Sequence, residues 1–198
     1  MTEAGSIGGL TQLLRGRPAR DAFDIWVRDI LIEEAWYRCD RGDHLLDFAE
    51  TVGIVRESLI EATIECMRPI LTFAPPSDGR PAHALNVALA CRNGKATRAE
   101  ADAAIGEAGG AYPGNDAASH HCREALRLML TRPGVAVEYV AGAALERAEV
   151  SAVRAWRSAQ EVLGEGRRAR AASLAASADT IRGMVPLTWI LEAAARLA

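Results

Sequence analysis

Glu57, Glu61 and Glu65 stand at regular four-residue steps. On a helix that spacing lines them along one face, and such rows serve di-metal centres when facing helices supply Glu-x-x-His. No Glu-x-x-His occurs in this sequence. The row also lies opposite the apolar positions of its own helix, together with Arg68. It therefore reads as a solvated acidic stripe and a candidate surface for a protein partner, with no metal expected. His120-His121-Cys122 brings potential ligands side by side, but successive helical residues point about 100° apart and cannot clasp one ion. Ala118, Cys122, Ala125, Leu126 and Met129 form the inward face there, which leaves His120 on the polar side with Glu124 and Arg127, and His121 at the boundary.

Nucleophilic chemistry has no local signature either. Cys39, Cys66, Cys91 and Cys122 are far apart, with no C-x-x-C pair, and read as free structural thiols of a reducing cytoplasm. No nucleophile elbow, P-loop or dinucleotide fingerprint is present, so neither a catalytic set nor a cofactor is expected. Arg167, Arg168 and Arg170, with Arg154 and Arg157 upstream, form a basic cluster without interleaved aromatics for base stacking. It reads as a charged hinge after Gly164-Glu165-Gly166. Two charges fall on faces that should be buried: Glu34 within the stripe Phe23, Trp26, Val27, Ile30, Leu31 and Tyr37, and Arg56 between Val55, Leu59 and Ile60. A lone buried charge is expensive, so one expectation is that these two pair across their helices; the other is that both snorkel to the helix ends.

The elements that must carry these residues are helices. An alanine spine, Ala141, Ala144, Ala148, Ala152, Ala155 and Ala159, with Val137, Leu145, Trp156, Val162 and Leu163 beside it, predicts one long central helix that a neighbour can approach closely. Upstream, the pattern predicts a frayed lead over residues 1–17 and a helix from Pro18 to about Cys39. A short piece, His44 to Glu50, precedes a longer helix running from Gly53 to about Arg68 with Pro69 at its end. Ala74-Pro75-Pro76-Ser77-Asp78-Gly79-Arg80-Pro81 is a connector, and the next helix runs from about Pro81 to Arg92 and stops at Asn93-Gly94. Thr97 and Glu100 make a capping box, and Asn115 is placed to cap the helix that reaches Leu130. After the spine, a helix opens at Arg167, Gly183 ends it, and Pro186 starts a last short one. Alternating β-branched runs are missing. The fold expected is an all-α, single-domain bundle over residues 18–198, of about seven or eight helices, its helix–turn–helix rhythm compatible with solenoid-like pairs.

Composition agrees. A chain of 198 residues with 25% charged and 49% apolar residues fits one globular domain, and its 5% aromatic content leaves alanine, leucine and valine to build the core. A net charge of −3 gives no reason to expect nucleic acid as partner. No secretory signal pattern and no apolar run near the roughly 20 residues of a membrane helix appears, which makes the cytoplasm the expected location and a membrane no partner.

One segment, residues 62–103, has a family look. It carries Ala62 and Cys66, the run Pro69, Ile70, Leu71 and Phe73, then Pro76-Ser77-Asp78-Gly79-Arg80-Pro81, Ala84-Leu85-x-x-Ala88, and a second helix after Asn93-Gly94. This resembles a family of small, alanine-rich bacterial helical proteins described as immunity proteins, in which a D-x-R-P turn opens a helix of similar character. The resemblance implies a protein that inhibits a toxin by binding it, without a cofactor. In this chain Asp78 is placed to cap the helix, Pro81 is tolerated in its first turn, and Arg80 is free to reach another segment or a partner.

The reading is a cytoplasmic protein-interaction module of the immunity kind, with Glu57, Glu61, Glu65, Asp78 and Arg80 as partner-binding residues. The alternative is an enzyme whose site is assembled between helices around His83, His121 or Glu34. A third reading is a helical regulator with a nucleic-acid face at Arg167 to Arg170.

Overall fold

A computed structural model describes residues 31–196. Among them are α1 (Ile32–Arg38), α2 (Gly42–Thr51), α3 (Arg56–Met67), a 3-10 segment (Arg68–Phe73), α4 (Arg80–Arg92), α5 (Arg98–Gly109), α6 (Ala117–Leu128), α7 (Pro133–Arg154), α8 (Ala159–Met184) and α9 (Leu187–Ala195). The architecture is all-α, a packed bundle with no strand among the described residues. Among the described residues there are nine α-helices, where the pattern gave about seven or eight for residues 18–198. The lead over residues 1–17 and the apolar stripe from Phe23 to Ile30 lie outside the described residues.

Helix α7 is the axis of the bundle. It packs on α8, α6, α2, α3 and the 3-10 segment. A solenoid repeat would touch only its neighbours along the stack, so the solenoid alternative does not hold. Two hydrophobic clusters meet on α7. Val137 and Ala141 belong to the cluster built by α1, α2, α8 and α9, while Ala136, Val140 and Ala143 belong to that of α4, α5 and α6. Small residues among both sets of positions let helices close in on two adjoining faces of one rod. Backbones come close where α2 meets α8. A Cβ added to Gly42 would sit 2.5 Å from Ser177 Cβ and 2.8 Å from its backbone carbon, so only glycine fits at that crossing.

Arginines tie the periphery. Arg182 of α8 donates to the carbonyls of Trp36 (3.0 Å) and Cys39, closing the end of α1. Arg147 of α7 donates to the Thr72 carbonyl at 2.9 Å and lies 4.8 Å from the Phe73 ring centre, fastening the 3-10 segment. Arg123 donates to the carbonyls of Tyr112 and Gly114, and the Tyr112 hydroxyl donates to the Ile70 carbonyl at 3.0 Å.

Several expectations need correction. The spine is not one helix: α7 stops at Arg154, Ala155 is its C-cap, and Ala159 is the first residue of α8. The reason is a second capping box that the alanine periodicity conceals. The Ser158 side chain accepts from the Glu161 N–H while the Glu161 carboxylate accepts from the Ser158 N–H at 2.9 Å, which starts a new helix there. Gly164-Glu165-Gly166 consequently lies inside α8 and is no hinge; Gly166 is buried, with the Glu149 side chain laid across it. Asp116, rather than Asn115, caps α6, its carboxylate accepting from the Ser119 N–H at 2.9 Å. The longer helix begins at Arg56 instead of Gly53, because Gly53 (φ 90) ends α2 in a left-handed turn.

Glu34 and Arg56 do not meet. Glu34 pairs with Arg38 one turn along α1, and Arg56 donates to the Thr131 carbonyl at 2.7 Å. Arg56 is exposed, so no buried charge existed to be compensated. The capping box of Thr97 and Glu100 and the stop at Gly94 (φ 69) form as expected.

Candidate functional site

Three helices end in the same backbone figure. At the end of α2, the Gly53 N–H donates to the Glu50 carbonyl (3.1 Å) and the Ile54 N–H to that of Ala49 (3.0 Å). At the end of α4, Gly94 donates to Cys91 (3.0 Å) and Lys95 to Ala90 (2.8 Å). At the end of α7, Trp156 donates to Val153 (3.0 Å) and Arg157 to Ala152 (3.1 Å). Each is a Schellman cap, whose pivotal residue must take positive φ. Glycine does so freely; a bulky residue is strained by about 1–3 kcal/mol. Trp156 holds φ 56, the one non-glycine residue with positive φ among the described residues.

Its side chain gains nothing from the fold in return. Trp156 is 95% exposed, the most exposed large apolar residue described. Val150, Val153 and Leu163 are also exposed, so half of the exposed large hydrophobics in the described structure fall within residues 150–163. This is the tip of the α7–α8 hairpin. A tryptophan held out by a strained turn, with aliphatic side chains nearby in sequence, has the composition of an interaction anchor. Between residues 150 and 168 four arginines stand against two glutamates. Arg157 pairs with Glu161 (3.5 Å) and Arg168 with Glu165 (2.9 Å), which leaves Arg154 and Arg167 as a positive surplus.

The residues expected to bind a partner are mostly engaged within the fold. Glu61 pairs with Arg92 of α4 at 2.5 Å, and Glu65 with Arg68 at 2.5 Å. The Arg68 guanidinium holds the Glu65 carboxyl below its ordinary range. Glu57 alone of the three is fully outward, its carbonyl accepting from Arg92 at 3.4 Å. Asp78 and Arg80 grip each other through a forked pair, 2.6 Å at its shortest, so Arg80 is not free. Asp78 also accepts from the Arg80 N–H at 3.1 Å, but it does not cap α4 as expected: Gly79 holds the N-cap position without a side-chain cap, while Pro81 sits in the first turn. The acidic stripe is thus a set of internal ties with one free carboxylate.

A second feature lies on the flank of the same hairpin. A pocket of about 390 Å³ opens between α6, α7 and α8, lined by His121, Glu138, Tyr139, Leu145, Glu146 and Arg170 among others. Arg170 pairs with Glu138 at 2.9 Å, which removes it from a free basic cluster. The His121 ring lies against Gly142, where an added Cβ would come within 3.0 Å of the imidazole. Its Nδ1 is buried and has no hydrogen-bond partner. Burial holds the imidazole below its ordinary pKa of 6.5, against the pull of Glu146. His120 is exposed, 6.3 Å from the Tyr139 ring centre, while His83 is exposed on α4 and Glu34 is paired on α1.

Reactive cysteine is disfavoured at three positions. Burial pushes the Cys39 thiol up to about 11 and those of Cys66 and Cys122 up to about 12, so each stays protonated at neutral pH. All four cysteines are free. Among the described residues no group of three or more His, Cys, Asp or Glu side chains is placed to hold a metal ion, and no helix is long and apolar enough to cross a membrane. Compared with protein-family models, with curated proteins and with solved structures, the chain matches none.

Proposed function

We propose that the chain is a protein-binding helical module whose contact surface is the tip of the α7–α8 hairpin, with Trp156 as its anchor. The observation that carries this reading is a bulky aromatic residue occupying a glycine position while 95% exposed. Folding alone favours glycine there, as at Gly53 and Gly94. Such strain persists where a side chain is needed for something other than the fold. The partner that fits is a protein surface with an apolar socket for the indole, rimmed by carboxylates that face Arg154 and Arg167. The toxin-neutralising form of the proposal rests on the resemblance over residues 62–103, and in that form the partner is a toxin.

The test is capture of a partner by tagged wild-type chain, beside Trp156→Gly and a Glu57→Lys, Glu61→Lys, Glu65→Lys triple variant, each checked for helicity. Loss of capture with Trp156→Gly and retention with the triple variant supports the tip. The reverse pattern moves the surface to α3. Retention by both removes both surfaces. For the toxin form, the captured partner expressed alone should arrest growth, and wild-type chain but not Trp156→Gly should restore it.

A further inference from the structure

The pocket between α6, α7 and α8 is separate from the hairpin tip and carries its own chemistry. Of its three charged groups, Glu138 and Arg170 neutralise each other at 2.9 Å. Glu146 has no ion-pair partner among the described residues, so the pocket keeps one negative charge. Its walls are aromatic and aliphatic. The Tyr139 ring centre lies 5.5 Å from that of His121, with Val135 and Leu145 completing the lining. The imidazole, pressed on Gly142 with its Nδ1 unpartnered, presents an uncharged ring at neutral pH.

Three ligand classes fit these walls poorly. An anion would meet Glu146 and find Arg170 already engaged. A neutral apolar molecule would strip water from Glu146 without compensation. A divalent metal would lack three clustered ligand side chains. A cation with an apolar body satisfies both the carboxylate and the ring faces, through ion pairing and cation–π attraction. The volume, about 390 Å³, suits a small molecule rather than a peptide. We infer that this pocket binds a small organic cation, an alkylammonium or quaternary ammonium ion, with Glu146 as counter-charge and Tyr139 and His121 as walls.

The experiment is a protein-observed NMR titration of the full chain with choline and with its uncharged isostere 3,3-dimethylbutan-1-ol. Choline should shift the Tyr139 and His121 ring signals saturably, and the isostere should bind at least about tenfold more weakly. Glu146→Gln should weaken choline about tenfold, and Tyr139→Leu several-fold. Arg170→Gln releases Glu138 and should tighten choline, a gain that a misfolded variant cannot produce. Equal binding of the isostere, undiminished choline affinity in Glu146→Gln, or unmoved Tyr139 and His121 signals with wild-type chain would each overturn the inference.

Discussion

The turn between α4 and α5 and the turn between α7 and α8 are built alike and filled differently. Both close a helix hairpin with a Schellman cap, and both pass within three residues into a capping box, Thr97 with Glu100 in one and Ser158 with Glu161 in the other. At the pivot one has Gly94 and the other Trp156. Since the backbone asks the same of both positions, the difference cannot be explained by the turn. Nor does packing explain it, because the indole stands in solvent. What separates the two hairpins is that one turn has no side chain at its pivot and the other holds an exposed indole there.

The largest test of this contrast is Trp156→Gly. Partner binding should fall by roughly 2 kcal/mol or more, about thirtyfold, as for anchor tryptophans at interfaces. The same variant should be more stable by about 1 kcal/mol in urea denaturation, since glycine relieves the left-handed strain. A variant that loses binding while gaining stability would separate display from folding; one that loses stability would show that the indole supports the fold after all. The reciprocal change, Gly94→Trp, should destabilise by about 1–2 kcal/mol with no gain elsewhere. An unchanged midpoint there would break the comparison, because it would mean that positive φ costs little in this turn.

Removing each capping box sharpens the comparison further. Ser158→Ala and Thr97→Ala should each cost about 1 kcal/mol by thermal or urea unfolding, and neither should touch partner binding directly. A loss of binding in Ser158→Ala would indicate that the start of α8 holds the tip in its presenting pose. The smallest effect expected is a pH dependence on the hairpin's flank. His121 has a lowered folded pKa, so the unfolded chain binds the proton more readily. Stability is therefore full above the ordinary value of 6.5 and declines as pH falls through the lowered folded value. His121→Phe should flatten that decline, measured by urea midpoints between pH 7 and pH 5.

The helical class, the stop at Gly94, the Thr97 box and the inward face of α6 were legible because each depends on residues a few positions apart. The Ser158–Glu161 box was equally local but was hidden by alanines, whose spacing continues across the break at Trp156 in register with one helix. Alanine periodicity reports a small-residue face and carries no information about where backbone hydrogen bonding is interrupted; the S-x-x-E signal does. The partners of the charged residues were another matter. Glu61 looked free on its own helix, yet Arg92 reaches it from α4 at 2.5 Å, and Arg80 looked free, yet Asp78 holds it. Arg56 looked buried because one helix projection places it between apolar residues, whereas Val55 and Arg56 both stand exposed at the helix's first turn.

By itself the sequence determined that this chain forms helices, where some of them start and stop, and that small residues would line the central one, because capping, proline, glycine and periodicity act through hydrogen bonds and sterics within a turn or two. Tertiary structure alone decided that α7 would be flanked by two clusters, that most of the acidic stripe would be tied down by arginines, and that His121, Tyr139, Glu146 and Arg170 would share one pocket. Those outcomes depend on which helix faces meet at close range, and residues distant in sequence become neighbours only when the whole bundle has chosen its packing.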